Sequence, residues 1–263
     1  MKIAGETVLL TGATGGIGRV LAERLTEAGA DLIVTGRDAD ALRELATEVG
    51  ARWVPADLAD PRDVTELAER CAGTGILVAN AALPASGDLL EYTPEQVDRA
   101  LTVNLGSVAV LARLLAPAMV GAGRGHLAFV GSMSGKAATP YSSLYTASKF
   151  GLRGFAHALR LDLREAGVGV SLIQPGFVGE AGMFARTGAP LPRGARTVTP
   201  DQVAAAVIRA VERDRGEINI APVKLRLLCA LAVQFPAAAA WIQRLGAPDD
   251  TARRIVDAQR AHR

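Results

Sequence analysis

Cysteine and histidine are scarce in this chain, and each scarcity excludes something. Cys71 and Cys229 make no disulfide framework and show no metal spacing. His126, His157 and His262 are scattered, so no zinc or other metal site is expected. Charge of one sign is also missing. The 29 basic and 27 acidic side chains leave a net charge of +2, which argues against a nucleic-acid surface. Long apolar runs are missing too. Leu225 to Ile242 is almost all apolar, but Arg226, Gln234 and Pro236 cut it into pieces too short to span a bilayer. No signal-peptide pattern precedes the first strand-like segment, and a reducing, cytoplasmic setting is expected. There is no internal repeat, low-complexity linker or second-domain boundary, so residues 1–263 read as one domain. Apolar residues make up 49% and charged residues 21%, a globular balance.

Short β-rich runs alternate with longer helical patterns. The predicted strands are 7–11, 31–35, 52–55, 76–79, 126–130, 168–173 and 217–220. Several are apolar without alternation, as strands covered on both faces are, and the whole reads as a doubly wound parallel sheet of the α/β class. Asp60-Pro61, Thr93-Pro94-Glu95-Gln96 and Thr199-Pro200-Asp201-Gln202 mark helix starts by their caps. Residues 182–196, rich in Gly, Pro and Arg, predict a loop long enough to act as a lid over substrate.

Two constellations carry chemistry. The first is Thr11-Gly12-Ala13-Thr14-Gly15-Gly16-Ile17-Gly18, between a strand and an amphipathic helix. Glycines there let the backbone turn sharply and approach a pyrophosphate, and the helix N-terminus offers it unpaired N–H groups. At the end of the second strand the acidic residue expected for a ribose hydroxyl is replaced by Gly36, and Arg37 follows. A guanidinium suits a 2′-phosphate, which points to NADP, with NAD as the alternative. The second constellation is Tyr145-Thr146-Ala147-Ser148-Lys149, with Ser132 thirteen residues earlier. A tyrosine and a lysine four apart share a helix face, where an ammonium can pull the phenol below its ordinary pKa of about 10.

The chain resembles the short-chain dehydrogenase/reductase family from about Thr7 to Ile220. The matching pieces are Thr11-Gly12 with Gly16-Ile17-Gly18, Asp57-Leu58, Asn80-Ala81, Asn104, Gly131-Ser132, Tyr145 with Ser148-Lys149, and Pro175-Gly176. The resemblance implies a Rossmann-type sheet of seven parallel strands, a bound nicotinamide dinucleotide, and reversible oxidation of an alcohol to a ketone or aldehyde. It implies Tyr145 as acid/base, Lys149 as the group that tunes it and holds the nicotinamide ribose, Ser132 on the substrate oxygen, and Asn104 anchoring a proton-return chain. Asp57 would meet the adenine amine and Asn80 the adenosine ribose. Gly12, Thr14, Gly16, Ile17, Gly18, Arg37, Leu58, Ala81, Pro175, Gly176 and Val178 complete the expected cofactor set. Three positions depart from the family pattern: Ala82 in place of a glycine, Glu180 in place of a threonine, and Gly15 where a basic residue is frequent.

The substrate is expected above the C-terminal strand ends. Met133, Ala138, Tyr141, Phe177, Met183 and Phe184 are the candidate walls, mostly apolar, which leans towards a hydrophobic ketone or alcohol. The helical stretches 97–119 and 145–163 are rich in small and apolar residues, and the resemblance implies that they pair across a two-fold axis in a homodimer or homotetramer. The tail, 224–263, predicts an apolar helical extension. Leu225, Leu228 and Ala232 follow helical spacing, Pro236 should break the helix, and Arg244, Arg253, Arg254, Arg260 and Arg263 follow. A lid or subunit contact is the favoured reading of the tail, with a membrane-surface contact as the competing one. Against the oxidoreductase stand a catalytically silent nucleotide sensor on the same fold and a membrane-associated scaffold.

Overall fold

Strand and helix alternate from the first residues in the computed structural model, which describes residues 1–188, 191, 196–245 and 250–260, with side chains undescribed at 240, 242–245 and 250–253. The order is β1 (Thr7–Thr11), α1 (Gly16–Glu27), β2 (Asp31–Gly36), α2 (Ala39–Val49), β3 (Arg52–Pro55), α3 (Pro61–Arg70) and β4 (Ile76–Ala79). Then follow α4 (Pro94–Leu101), α5 (Ser107–Gly121), β5 (Gly125–Val130), α6 (Ser143–Leu163) and β6 (Val168–Pro175). The last part holds α7 (Gly182–Thr187), α8 (Pro200–Glu212), β7 (Glu217–Ile220), α9 (Val223–Gln234), α10 (Pro236–Leu245) and α11 (Asp250–Gln259). The strands form one seven-stranded sheet in the order β3-β2-β1-β4-β5-β6-β7, every neighbouring pair parallel.

Strand periodicity distributes the core between two layers. On β1, Val8 and Leu10 face one side with Leu21 and Leu25 of α1, Leu42 of α2 and Val203 of α8. Leu9 faces the other, with Val64 of α3, Leu111 of α5 and Leu152 of α6. Helices on both faces cover β4 and β5 completely, which is why those strands read as unbroken apolar runs. The two Thr-Pro sequences form complete capping boxes, Thr93 with Gln96 and Thr199 with Gln202, while Asp60 caps α3 ahead of Pro61.

The structure revises three expectations. The segment expected as a loop from 182 contains α7, closed by Gly188 in the left-handed conformation that terminates helices; 189–190 and 192–195 lie outside the described residues. The stretch 97–119 is helical throughout but not regularly α-helical. A π-turn at Thr102–Gly106, carrying Asn104, separates α4 from α5. By length and composition Pro94–Gly121 is apolar enough to cross a membrane, but half of its apolar window is buried, as a core-facing helix requires. In the tail, Pro236 does begin a new helix after α9. The stripe expected to face the body differs, however. Leu225 and Cys229, four apart, turn inward and Leu228 is 53% exposed. Arg263 lies outside the described residues.

Candidate active site

The glycine turn after β1 is shaped for close approach. Gly12 has φ +65°, and a Cβ there would lie 2.7 Å from the Ala81 Cα. A Cβ on Gly16 would lie 2.6 Å from the Ala181 Cβ, so α1 starts directly against the segment that leads into α7. Thr11, buried at the end of β1, accepts hydrogen bonds from the N–H groups of Asn80 and Ala81, each at 3.1 Å. The Asn80 amide donates back to the Thr11 and Gly12 carbonyls at 3.2 and 3.1 Å. This two-way clamp locks the end of β4 to the turn. Thr11 belongs to the expected glycine motif, but its part in the clamp had no signal of its own, because a buried threonine reads as an ordinary strand residue.

A cavity of about 270 Å³ opens beside the clamp. Of the expected cofactor residues, Gly12, Thr14, Ile17, Gly18, Arg37, Asp57, Leu58, Asn80 and Ala81 line it, with Arg99, Met183 and Arg186 beyond those expected. Burial would raise the Asp57 carboxyl, but the Ala59 N–H and the Arg99 guanidinium, at 3.0 and 2.9 Å, hold it below the usual carboxylate range. Three guanidinium groups around one paired carboxylate give the cavity an excess of positive charge, and its floor is a backbone turn too tight for side chains. Both properties fit a phosphate-bearing dinucleotide. Gly176 belongs to the neighbouring cavity, Pro175 ends β6, and the Val178 side chain is buried against the core where its backbone bridges to Val198.

Tyr145 lies in the first turns of α6, its ring packed with Ala85, Ala100 and Leu144. Its phenol hydrogen-bonds Ser132, whose hydroxyl also accepts the Ser134 N–H at 3.1 Å. Burial pushes the phenol above its ordinary pKa and the Ser132 hydrogen bond offsets part of that. The direction is opposite to the lowering expected from Lys149. The reason is geometric: the buried Lys149 ammonium lies 5.7 Å from the Tyr145 ring centroid and donates to the Val130 carbonyl at 3.2 Å. Burial in turn pulls Lys149 down to about 8. Asn104, buried in the π-turn, accepts the Leu83 N–H at 2.6 Å and donates to the Leu83 carbonyl at 3.0 Å, pinning the strand-end segment that lines the cofactor cavity.

Above the Ser132–Tyr145 pair is a second cavity, of about 240 Å³. Met133, Phe177, Met183 and Phe184 line it, and the Phe177 and Phe184 rings stack with centroids 4.8 Å apart. The expected wall at Ala138 and Tyr141 is displaced: the lining runs through Ala137 and Thr139, and Tyr141 is exposed, in the left-handed region at φ +59°. The far wall comes from the tail: Leu225 and Cys229 of α9, Ile255 and Gln259 of α11. Gln259 accepts the Ser86 N–H at 3.3 Å, and the neighbouring Arg260 forks onto Glu91 at 2.6 and 3.2 Å. Helix α11 falls within the helical extension expected over 224–263, but its part in walling the cavity was not foreseen.

The two cavities share Met183 and lie over the carboxyl ends of the strands, where doubly wound sheets hold nucleotides. A phosphate-suited cradle joined to a largely apolar chamber with the Ser132–Tyr145 pair at its base defines a class, the nucleotide-linked oxidoreductases of Rossmann type. Within it the chain belongs to the short chain dehydrogenase family, whose model matches residues 6–190. It is 30% identical to the ketoacyl reductase HetN of Nostoc sp., over 83% of this chain and 79% of that one. To the D-beta-hydroxybutyrate dehydrogenase of Rhizobium meliloti it is 34% identical, over 66% and 71%. A solved short-chain dehydrogenase from Sphingobium yanoikuyae, in complex with NADPH, superposes with a TM-score of 0.76 at 29% identity, covering 91% of this chain and 94% of that one.

Proposed function

We propose that the chain is an NADP(H)-linked oxidoreductase that interconverts a hydrophobic ketone or aldehyde and its alcohol. The observation that carries this reading is the Tyr145–Ser132 hydrogen bond at the base of an apolar cavity that shares a wall with the dinucleotide cradle. A nicotinamide dinucleotide bound there supplies or accepts the hydride. The protein's own part is the oxygen. Ser132 and Tyr145 hold the substrate carbonyl, and as the carbonyl carbon is reduced, Tyr145 gives its phenolic proton to the developing alkoxide. In the reverse direction the phenolate takes that proton back. Lys149, with a pKa of about 8, can exchange a proton with the site near neutrality.

NADP is favoured because Arg37 follows Gly36 in the cradle and Arg99 and Arg186 add positive charge beside it. The NADPH complex of the Sphingobium relative supports the same choice, with NAD the alternative. The relatives' names, ketoacyl reductase and hydroxybutyrate dehydrogenase, support a secondary alcohol or ketone as the reacting group. Two free, buried cysteines suit a reducing compartment such as the cytoplasm. The test is a panel of apolar ketones and alcohols, followed by nicotinamide absorbance with each dinucleotide. Tight dinucleotide binding with no turnover on any member of the panel would instead support the silent sensor.

A further inference from the structure

The helix α9 has two faces of different use. Inward, Leu225 and Cys229 wall the apolar cavity. Outward, Leu227 is 60% exposed and Leu231 58%, while Phe235, between α9 and α10, and Trp241 on α10 are each 62% exposed. Val223 and Leu228 widen the same face. On the helical wheel the apolar strip through Val223, Leu227 and Leu231 is flanked by exposed Arg226 on one side and exposed Lys224 on the other. Long basic side chains at the edges of an apolar strip can lay their stems along it and lift their charges to a polar boundary, and tryptophan favours that same boundary. Six large apolar side chains at this exposure form a patch that monomeric proteins rarely leave uncovered.

The charge distribution selects what covers it. From Val223 to the end of the chain, seven arginines and lysines stand against three aspartates. The rest of the chain carries more acidic than basic residues, so the net positive charge of the molecule belongs to the tail. A second copy of the same basic face would bring like charges together, whereas an anionic lipid surface meets both the apolar strip and its basic flanks.

We infer that the outward face of α9 and α10 docks peripherally on an anionic membrane, and that the apolar cavity behind α9 takes a carbonyl or alcohol that partitions into that lipid. The docking stands on the tail alone. The substrate class rests on the oxidoreductase reading above. A bilayer against α9 lies one helix away from the cavity, so an apolar substrate can pass from lipid to Ser132 and Tyr145 with little exposure to water. No insertion across the bilayer is involved. Binding is by apolar area plus charge, and it weakens with salt.

The experiment is flotation of the full chain with vesicles of phosphatidylcholine alone and of phosphatidylcholine with phosphatidylglycerol, at low and high salt. Flotation with the anionic vesicles is expected, reduced by salt, and reduced at least tenfold in a Leu227→Ser, Leu231→Ser variant. Both residues face away from the cavity, so dinucleotide binding and turnover of a short, water-soluble carbonyl should persist and show that the variant is folded. A long-chain ketone delivered in anionic vesicles should lose turnover in the same variant. Failure to float with either vesicle, or equal flotation of parent and variant, overturns the docking. A parent that stays off vesicles but sediments as a larger species than the variant assigns the face to a second copy and overturns it as well. Flotation of the parent with no turnover of any carbonyl leaves the docking standing and removes the oxidoreductase reading.

Discussion

Tyr145 is set among neighbours that differ in kind. Ala85, Ala100 and Leu144 fix the ring, Ser132 fixes the hydroxyl, and Lys149 lies beyond hydrogen-bond reach on the next helical turn. Replacing Tyr145 with Phe should leave the packing intact and remove only the proton. We expect turnover to fall by about 10²–10⁴ with dinucleotide binding little changed, read by steady-state rates and fluorescence titration; turnover within a factor of two of the parent rules the assignment out. At the other end of the site, Arg37→Asp should move preference towards NADH, because a carboxylate can accept from both ribose hydroxyls and repels a 2′-phosphate. The ratio of kcat/KM for the two dinucleotides measures it, and an unmoved ratio makes Arg37 a bystander. Residue identities were the most legible part of the site. The glycine turn and the Tyr145, Lys149 and Ser132 spacing could be read from the residues, whereas Asn80 and Asn104 were named only through the family resemblance. Their energetics were not legible. The Tyr145–Lys149 spacing predicts a lowered phenol pKa, whereas burial, not visible in the sequence, raises it.

At the scale of elements, Glu217 at the start of β7 joins parts that the sequence keeps far apart. Its carboxylate meets Lys136, which follows the turn after Ser132, and Arg153 and His157 on α6 at 3.0 and 2.8 Å. Burial alone would raise this carboxyl; the hydrogen bonds from Lys136, Asn219, His157 and Arg153 outweigh it and hold the pKa at about 2, against an ordinary 4.5. A carboxyl depressed on folding contributes stability that is complete above its unfolded pKa and is lost as pH falls through the folded one. Glu217 should therefore supply about 3 kcal/mol at pH 7, lost between about pH 4.5 and 2. Glu217→Gln should lower Tm markedly at pH 7 and less at pH 3; an equal difference at both would refute the linkage. The clasp of α11 is the second element-scale device. Arg260→Ala, which frees α11 from Glu91, should raise KM for bulky substrates several-fold and leave dinucleotide affinity unchanged, and an unchanged KM would show that α11 does not close the cavity. The inner strands were readable almost to the residue because they are covered on both faces, β4 and β5 completely. The π-turn at Asn104 and α7 were not, since each depends on a tertiary partner: Leu83 for the first and α11 for the second.

For the whole molecule, the question is which surfaces remain for other molecules once the sheet is covered. On α5, Val110 and Leu114, four apart, are 45% and 39% exposed, and Phe150 on α6 is exposed as well. Helix α5 needs only its inner stripe, with Leu111, Leu115 and Met119, to cover the sheet. Its outer stripe fits the pairing of two such helices with their copies across a two-fold axis, and we expect a homodimer or homotetramer built on it. An interface of standard size buries roughly 1,200–2,000 Å² in total, and a charge buried within it without a partner costs several kcal/mol. Leu114→Glu places two such charges near the axis, one from each copy. The variant should sediment as a monomer at micromolar concentration where the parent is an oligomer, and its dinucleotide affinity should be retained because no residue of α5 lines either cavity. A parent that sediments only as monomer would remove the interface altogether. The same variant separates this surface from the tail. If α5 and α6 hold copies together and α9 holds lipid, Leu114→Glu should lower the mass of the particle and weaken flotation only through the loss of multivalency, whereas Leu227→Ser with Leu231→Ser should abolish flotation and leave the mass unchanged. A mass change in the α9 variant would mean that one apolar face serves both ends.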